Sequence, residues 1–100
     1  MLKEYNKVNI NSGIVVVDFY ADWCAPCRNF APMFESVAEE FDVTFVKINV
    51  DNHSDLAAKY SVRSIPAVFI LKDGKVVKQN SGSTSESRFR DFVQDFLNQE

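Results

Sequence analysis

The change of hydrophobic period on either side of residues 22–27 constrains this chain more than any other feature. Before it, Ile14-Val15-Val16-Val17-Asp18-Phe19-Tyr20 is a nearly unbroken apolar run rich in β-branched residues, which suits a buried strand. After it, Phe30, Met33, Phe34, Val37, Ala38 and Phe41 recur at steps of three and four, the spacing that gathers them on one helix face. A strand must therefore pass directly into a helix. The interruption Asp22-Trp23-Cys24-Ala25-Pro26-Cys27 sets a cysteine pair at that junction. Pro32 falls inside the predicted helix, where its ring and missing N–H predict a bend or break near the first turns.

The remaining pattern completes an alternating order. Residues 43–50 read as a second strand, making a strand–helix–strand unit of the kind that pairs strands in parallel. Ser54 or Asp55 is placed to cap a short helix through Leu56, Ala57, Ala58 and Tyr60, which Ser64-Ile65-Pro66 ends. Ala67-Val68-Phe69-Ile70-Leu71 is a third strand, and the Asp73-Gly74 turn returns the chain through Val76-Val77 as an antiparallel hairpin. Gly82 breaks the pattern. Ser83 and Glu86, three apart, form a capping-box signature before Phe89, Phe92, Val93, Phe96 and Leu97. The first twelve residues fit a weak helix face through Leu2, Tyr5 and Val8, or a short edge strand. The expected fold is α/β, a mixed central sheet flanked by helices on both faces.

With 100 residues, 46% of them hydrophobic, the chain can bury one core, so residues 1–100 are expected to form one domain. Nine phenylalanines argue against disorder, and the phenylalanines at helical spacing are read as core. The net charge of −3, spread along the sequence, offers no field for nucleic acid or anionic lipid. No apolar run approaches the roughly 18 residues of a membrane helix, and the start Met1-Leu2-Lys3-Glu4-Tyr5 is too polar for a signal peptide. A cytoplasmic setting is expected. His53, in the polar stretch Asn52-His53-Ser54, is read as a surface loop residue without a role.

Two cysteines are too few for a disulfide framework and point to chemistry. At the head of a helix, Cys24 faces unpaired N–H groups and the positive end of the helix dipole, which both favour thiolate. Cys27, one turn further in, is expected to be shielded. A zinc knuckle is the other use of Cys-x-x-Cys. With no further cysteine and His53 as the single histidine, one chain cannot assemble four nitrogen and sulfur ligands, so no metal is expected.

The motif Trp23-Cys24-Ala25-Pro26-Cys27 between strand and helix resembles the thioredoxin family. So do Val17-Asp18-Phe19 before it, Pro32 within the helix, Lys47 on the next strand, Ile65-Pro66 before the hairpin and Gly82 before the last helix. The resemblance runs from about Ile14 to Leu97 and implies a thioredoxin-like fold with a shortened N-terminal element. It implies a thiol–disulfide oxidoreductase, a general protein-disulfide reductase with Cys24 as nucleophile and Cys27 as resolving thiol. By analogy the Cys24 pKa is lowered from ~8.5 toward roughly 7. Asp18 would be buried beneath the pair and accept the Cys27 proton, with Lys47 as its supporting partner. Trp23, Pro26, Ile65, a cis Pro66 and Gly82 would contact substrate, Ile65 through its backbone in the manner of strand addition. The implied partners are disulfide-containing proteins and an electron-donating thioredoxin reductase, with no bound cofactor and a monomeric state. Ala25 in place of the usual Gly leaves the redox potential open, and Ser64 and Ala67 change the substrate-facing rim. An oxidase or isomerase would share every landmark. A non-catalytic scaffold would not need the cysteine pair.

Overall fold

In the computed structural model, which describes residues 1–100, five strands form one sheet in the order β1-β3-β2-β4-β5. β1 is Leu2–Lys3, β2 Ile14–Tyr20, β3 Thr44–Asn49, β4 Ala67–Lys72 and β5 Lys75–Ser81. β1 and β2 both run parallel to β3, whereas β2 pairs antiparallel with β4 and β4 with β5. The sheet is mixed because the β2-to-β3 connection is a helical crossover and the β4-to-β5 connection is a two-residue turn. In that turn Asp73 and Gly74 have φ of +51° and +84°, the left-handed pair that an Asp-Gly hairpin turn requires.

Strand alternation divides the core into two layers. Val16, Phe45, Val68 and Ile70 face helices α1 (Ala25–Ala38) and α3 (Glu86–Asn98), whose Phe30, Phe34, Phe89, Val93 and Phe96 complete that layer. Val15, Val17, Phe19, Val46, Ile48 and Phe69 point the other way, toward Tyr60 and Leu56 near the short helix α2 (Ser54–Lys59) and toward Ile10 and Tyr5. The central strands are buried on both faces, so their sequences read as continuous apolar runs. Asp18 follows the alternation of Val16 and so lies on the face that α1 covers. It is the exception that the packing has to justify.

Several expectations need correction. Of the two N-terminal alternatives the short edge strand forms, as β1 at the sheet edge, and a 3-10 turn, Tyr5–Lys7, follows it in place of a longer helix. Pro32 does not break α1, which continues to Ala38; Pro32 is exposed, on the side of the helix away from the sheet. Phe41 lies beyond the helix end and stacks on Phe45 with ring centroids 6.4 Å apart. Neither Ser54 nor Asp55 caps α2, because both already lie in its first turn and His53 holds the cap position. His53 is not a free surface residue: its ring meets Tyr5 edge-on at 4.7 Å, tying the N-terminal turn to α2. The Ser83–Glu86 box is displaced by two residues. Ser85 caps α3, its hydroxyl oxygen accepting from the Arg88 N–H, while Glu86 turns outward to accept from Arg90 at 3.0 Å.

Candidate active site at the head of the first helix

The cysteine pair sits where the sequence pattern puts it, between β2 and α1. Cys24 is the N-cap of α1, with extended backbone at φ −91° and ψ 109°, and its Sγ accepts the Cys27 N–H at 3.2 Å. Its sulfur thus occupies the place of the oxygen in an ordinary Ser or Asp cap. The first turn of α1 contains no acidic residue, so no carboxylate competes for the positive end of the helix. Cys24 and Cys27 are disulfide-bonded, and both are largely buried, Cys24 at 6% exposure and Cys27 at 2%. Cys24, at the cap, is the slightly more exposed residue of the two. Ala21 packs with the pair, and Tyr20, Val50 and Ile65 close around it.

A second loop faces the pair. The Ile65–Pro66 peptide bond is cis, and the Ile65 carbonyl oxygen lies 3.8 Å from Cys24 Sγ. The Gly82 N–H donates to the Pro66 carbonyl at 2.8 Å, fastening this loop to the end of β5. Gly82 has φ +91° with open space where a Cβ would go, so its backbone conformation, not crowding, selects glycine. Cys24, Cys27, Ile65, Pro66 and Gly82 are therefore brought together at one rim. Pro26, in the first turn of α1, is exposed beside them.

Trp23 is 69% exposed, an unusual state for the chain's one tryptophan. Its indole Nε1 donates to Asp51 at 2.9 Å, and with Val50, Val62 and Ile65 it lines a cleft of about 260 Å³. Further polar contacts hold this corner. The Asp51 N–H donates to the Asn49 side-chain oxygen at 2.9 Å, Asn49 Nδ2 reaches Asp22 at 3.5 Å, and Arg28 donates to the Asp22 carbonyl at 2.9 Å. These four supporting residues were not singled out from the sequence. Asp51 and Trp23 are 28 positions apart, and nothing local in either segment announces the contact.

Asp18 is fully buried, and neither of its carboxyl oxygens is hydrogen-bonded to another group of the protein. Burial pushes its pKa from 3.8 up to about 7; the nearby Lys47 charge pulls it down and the Glu35 charge pushes it up. Lys47 stands beside Asp18 in the β2–β3 register. Its ammonium, however, pairs with Glu35 of α1 at 3.5 Å and lies 4.8 Å above the Tyr20 ring. The expected partnership is thus electrostatic and not a hydrogen bond. A buried carboxyl that titrates near neutrality under a helix carrying a reactive cysteine can hold or release a proton in the working pH range.

Comparison with known proteins agrees with this geometry. The thioredoxin family model matches residues 2–95. A thioredoxin of Mycoplasmoides gallisepticum is 41% identical over 80 residues, 79% of this chain and 80% of that protein. Thioredoxin C-2 of Corynebacterium nephridii is 43% identical over 81 residues, 79% of this chain and 75% of the relative. Among solved structures, Fasciola hepatica thioredoxin superposes with a TM-score of 0.77 at 45% identity, covering 85% of this chain and 83% of its own. Reduced Schistosoma mansoni thioredoxin pre-protein gives 0.78 at 36% identity, covering 86% and 81%. With the family model spanning nearly its whole length and a cysteine pair bridged at the head of α1, this chain belongs to the thioredoxin family and is a thiol–disulfide oxidoreductase acting through Cys24 and Cys27.

Proposed function

We propose that the protein is a general protein-disulfide reductase in which residues 1–100 act as one thioredoxin domain. The Cys24 thiolate attacks one sulfur of a substrate disulfide, forming a mixed disulfide and releasing the other substrate sulfur as thiolate. Cys27 then loses its proton to Asp18 and attacks Cys24 Sγ. The second substrate thiol departs, and the Cys24–Cys27 disulfide remains. Two electrons and two protons from an external donor, a thioredoxin reductase in this reading, restore the dithiol. The observation that carries the proposal is the Cys24 sulfur seated as N-cap of an acid-free helix turn, with Cys27 deeper below it.

The rim supports a place for substrate. An extended segment beside the cis Pro66 would meet Ile65 backbone groups, with Trp23, Pro26 and Gly82 on its flanks. Pairing of this kind reads backbone, which suits a reductase of many proteins. No helix is long and apolar enough to cross a membrane, and the reading takes the protein as a cytoplasmic monomer.

The test is the redox potential of the Cys24–Cys27 couple, measured against glutathione or a reference dithiol. A reductase gives a value near the ~−270 mV of thioredoxin. A value near the ~−120 mV of strong oxidants would overturn the reductase direction in favour of an oxidase.

A further inference from the structure

Lys47 has two carboxylates within its reach and is bound to only one of them. Asp18 and Lys47 are register partners on neighbouring parallel strands, roughly 4.8 Å apart in the sheet. Strand alternation puts both side chains on the face beneath α1. A lysine in that position next to a buried acid would ordinarily pair with it, since leaving a buried carboxyl without any hydrogen bond is costly. Here neither Asp18 oxygen is bonded to Lys47 or to any other protein group. The ammonium is instead drawn outward to Glu35, one helical turn past the midpoint of α1, and rests on the Tyr20 ring.

We propose that Glu35 is a positioning residue: it competes with Asp18 for the Lys47 ammonium and thereby keeps the buried carboxyl unpaired and available for proton transfer. The inference rests on the reading of Asp18 as the base that serves Cys27. Other groups around Asp18 do not offer the same control. β4 presents Val68 in register, α1 contributes Glu35, β3 contributes Lys47, and Tyr20 on β2 itself acts as the second hold on the lysine. The pair is also accessible, with Lys47 and Glu35 side chains 25% and 49% exposed, so the lysine is free to swing inward once its outer partner is removed.

The direction of the effect follows from charge. An ammonium that turns toward Asp18 stabilises the carboxylate and lowers its pKa, so Asp18 would give up its proton earlier and hold a proton from Cys27 less well. Glu35 also acts on Asp18 directly through its own negative charge, raising the pKa. The two routes separate only when Lys47 is removed. With the lysine absent, direct charge alone remains.

The experiment follows the Asp18 carboxyl by carbon-13 NMR titration in four proteins: wild type, Glu35→Gln, Lys47→Met and the double variant. In parallel, the pH profile of mixed-disulfide resolution is recorded for each. Glu35→Gln is expected to lower the Asp18 midpoint by about one pH unit when Lys47 is present, and by less than about half of that in the Lys47→Met background. The rate profile should move to lower pH with the midpoint. An unchanged midpoint in Glu35→Gln, or a change of equal size with and without Lys47, would overturn the proposal. A midpoint that moves as expected with a rate profile that stays in place supports the positioning role and overturns the base role of Asp18 instead.

Discussion

The heads of α1 and α3 are built alike and do different things. In each, the N-cap side chain accepts the backbone N–H three residues on at 3.2 Å, from Cys27 to Cys24 Sγ in one and from Arg88 to Ser85 Oγ in the other. The first turn of α3 carries Glu86, which answers the helix dipole and pairs with Arg90. The first turn of α1 carries no acid, and its cap is buried where Ser85 is exposed. The comparison teaches that one capping device serves either stability or reactivity, according to which atom accepts and what else competes for the positive end.

The largest effect that would break the likeness comes from giving α1 the cap of α3. Cys24→Ser preserves an acceptor at the N-cap, so the protein is expected to fold, yet reduction of insulin disulfides should drop to background. Cys27→Ser should instead accumulate mixed disulfides through Cys24, visible by non-reducing electrophoresis and mass spectrometry. Trapping by Cys24→Ser and none by Cys27→Ser would reverse the two roles.

The next effect separates the ground beneath the two helix heads, since only α1 overlies a buried acid. A carboxyl whose pKa rises from 3.8 to about 7 on folding binds its proton more tightly in the native state. Stability therefore falls as pH rises from about 4 to about 7 and levels off above that. The burial penalty at pH 8 is at most on the order of 4 kcal/mol, since each pH unit between the unfolded and folded midpoints costs about 1.4 kcal/mol. Asp18→Asn is expected to be more stable than wild type by about 2–4 kcal/mol at pH 8, and little different at pH 4, in urea unfolding of the oxidised protein. An equal difference at both pH values would mean that the carboxyl charge is not its source.

Smaller still is the cost of removing the structural cap. Ser85→Ala should destabilise by about 1 kcal/mol and leave the rate of insulin reduction unchanged. A fall in rate out of proportion to stability would show that the two helix heads are coupled. The smallest effect comes from giving α1 the acid that α3 has. Ala25→Glu should raise the Cys24 thiol pKa by roughly 0.2–0.7, the equivalent of about 0.3–1 kcal/mol of helix-dipole interaction, read from thiolate absorbance against pH. No change there would leave the local N–H contact, and not the dipole, as the source of thiolate stabilisation.

Much of this molecule was legible along the chain because the physics is local or periodic. The run at residues 14–20 matches β2 residue for residue, since a strand buried on both faces leaves a continuous apolar signature. The Asp73-Gly74 turn and the helical stripe of Phe89, Val93 and Phe96 are equally direct. The cysteine pair was placed by the change of period around it. Cap positions are not fixed locally, since Ser83 and Ser85 both carry a suitable hydroxyl and it is Ser85 that caps α3.

What the sequence determined by itself was therefore the order of elements from residue 14 onward, the apolar faces of the two longer helices, and the position of two sulfurs at a strand–helix junction. Only the tertiary structure decided the partners. It brought Ile65 to Cys24 across 41 residues, Asp51 to Trp23 across 28 and Lys47 to Glu35 in preference to Asp18. The reason is that backbone periodicity is written in neighbouring residues. A buried charge or an exposed indole finds its partner only through the folded sheet, and no neighbour in the chain records that choice.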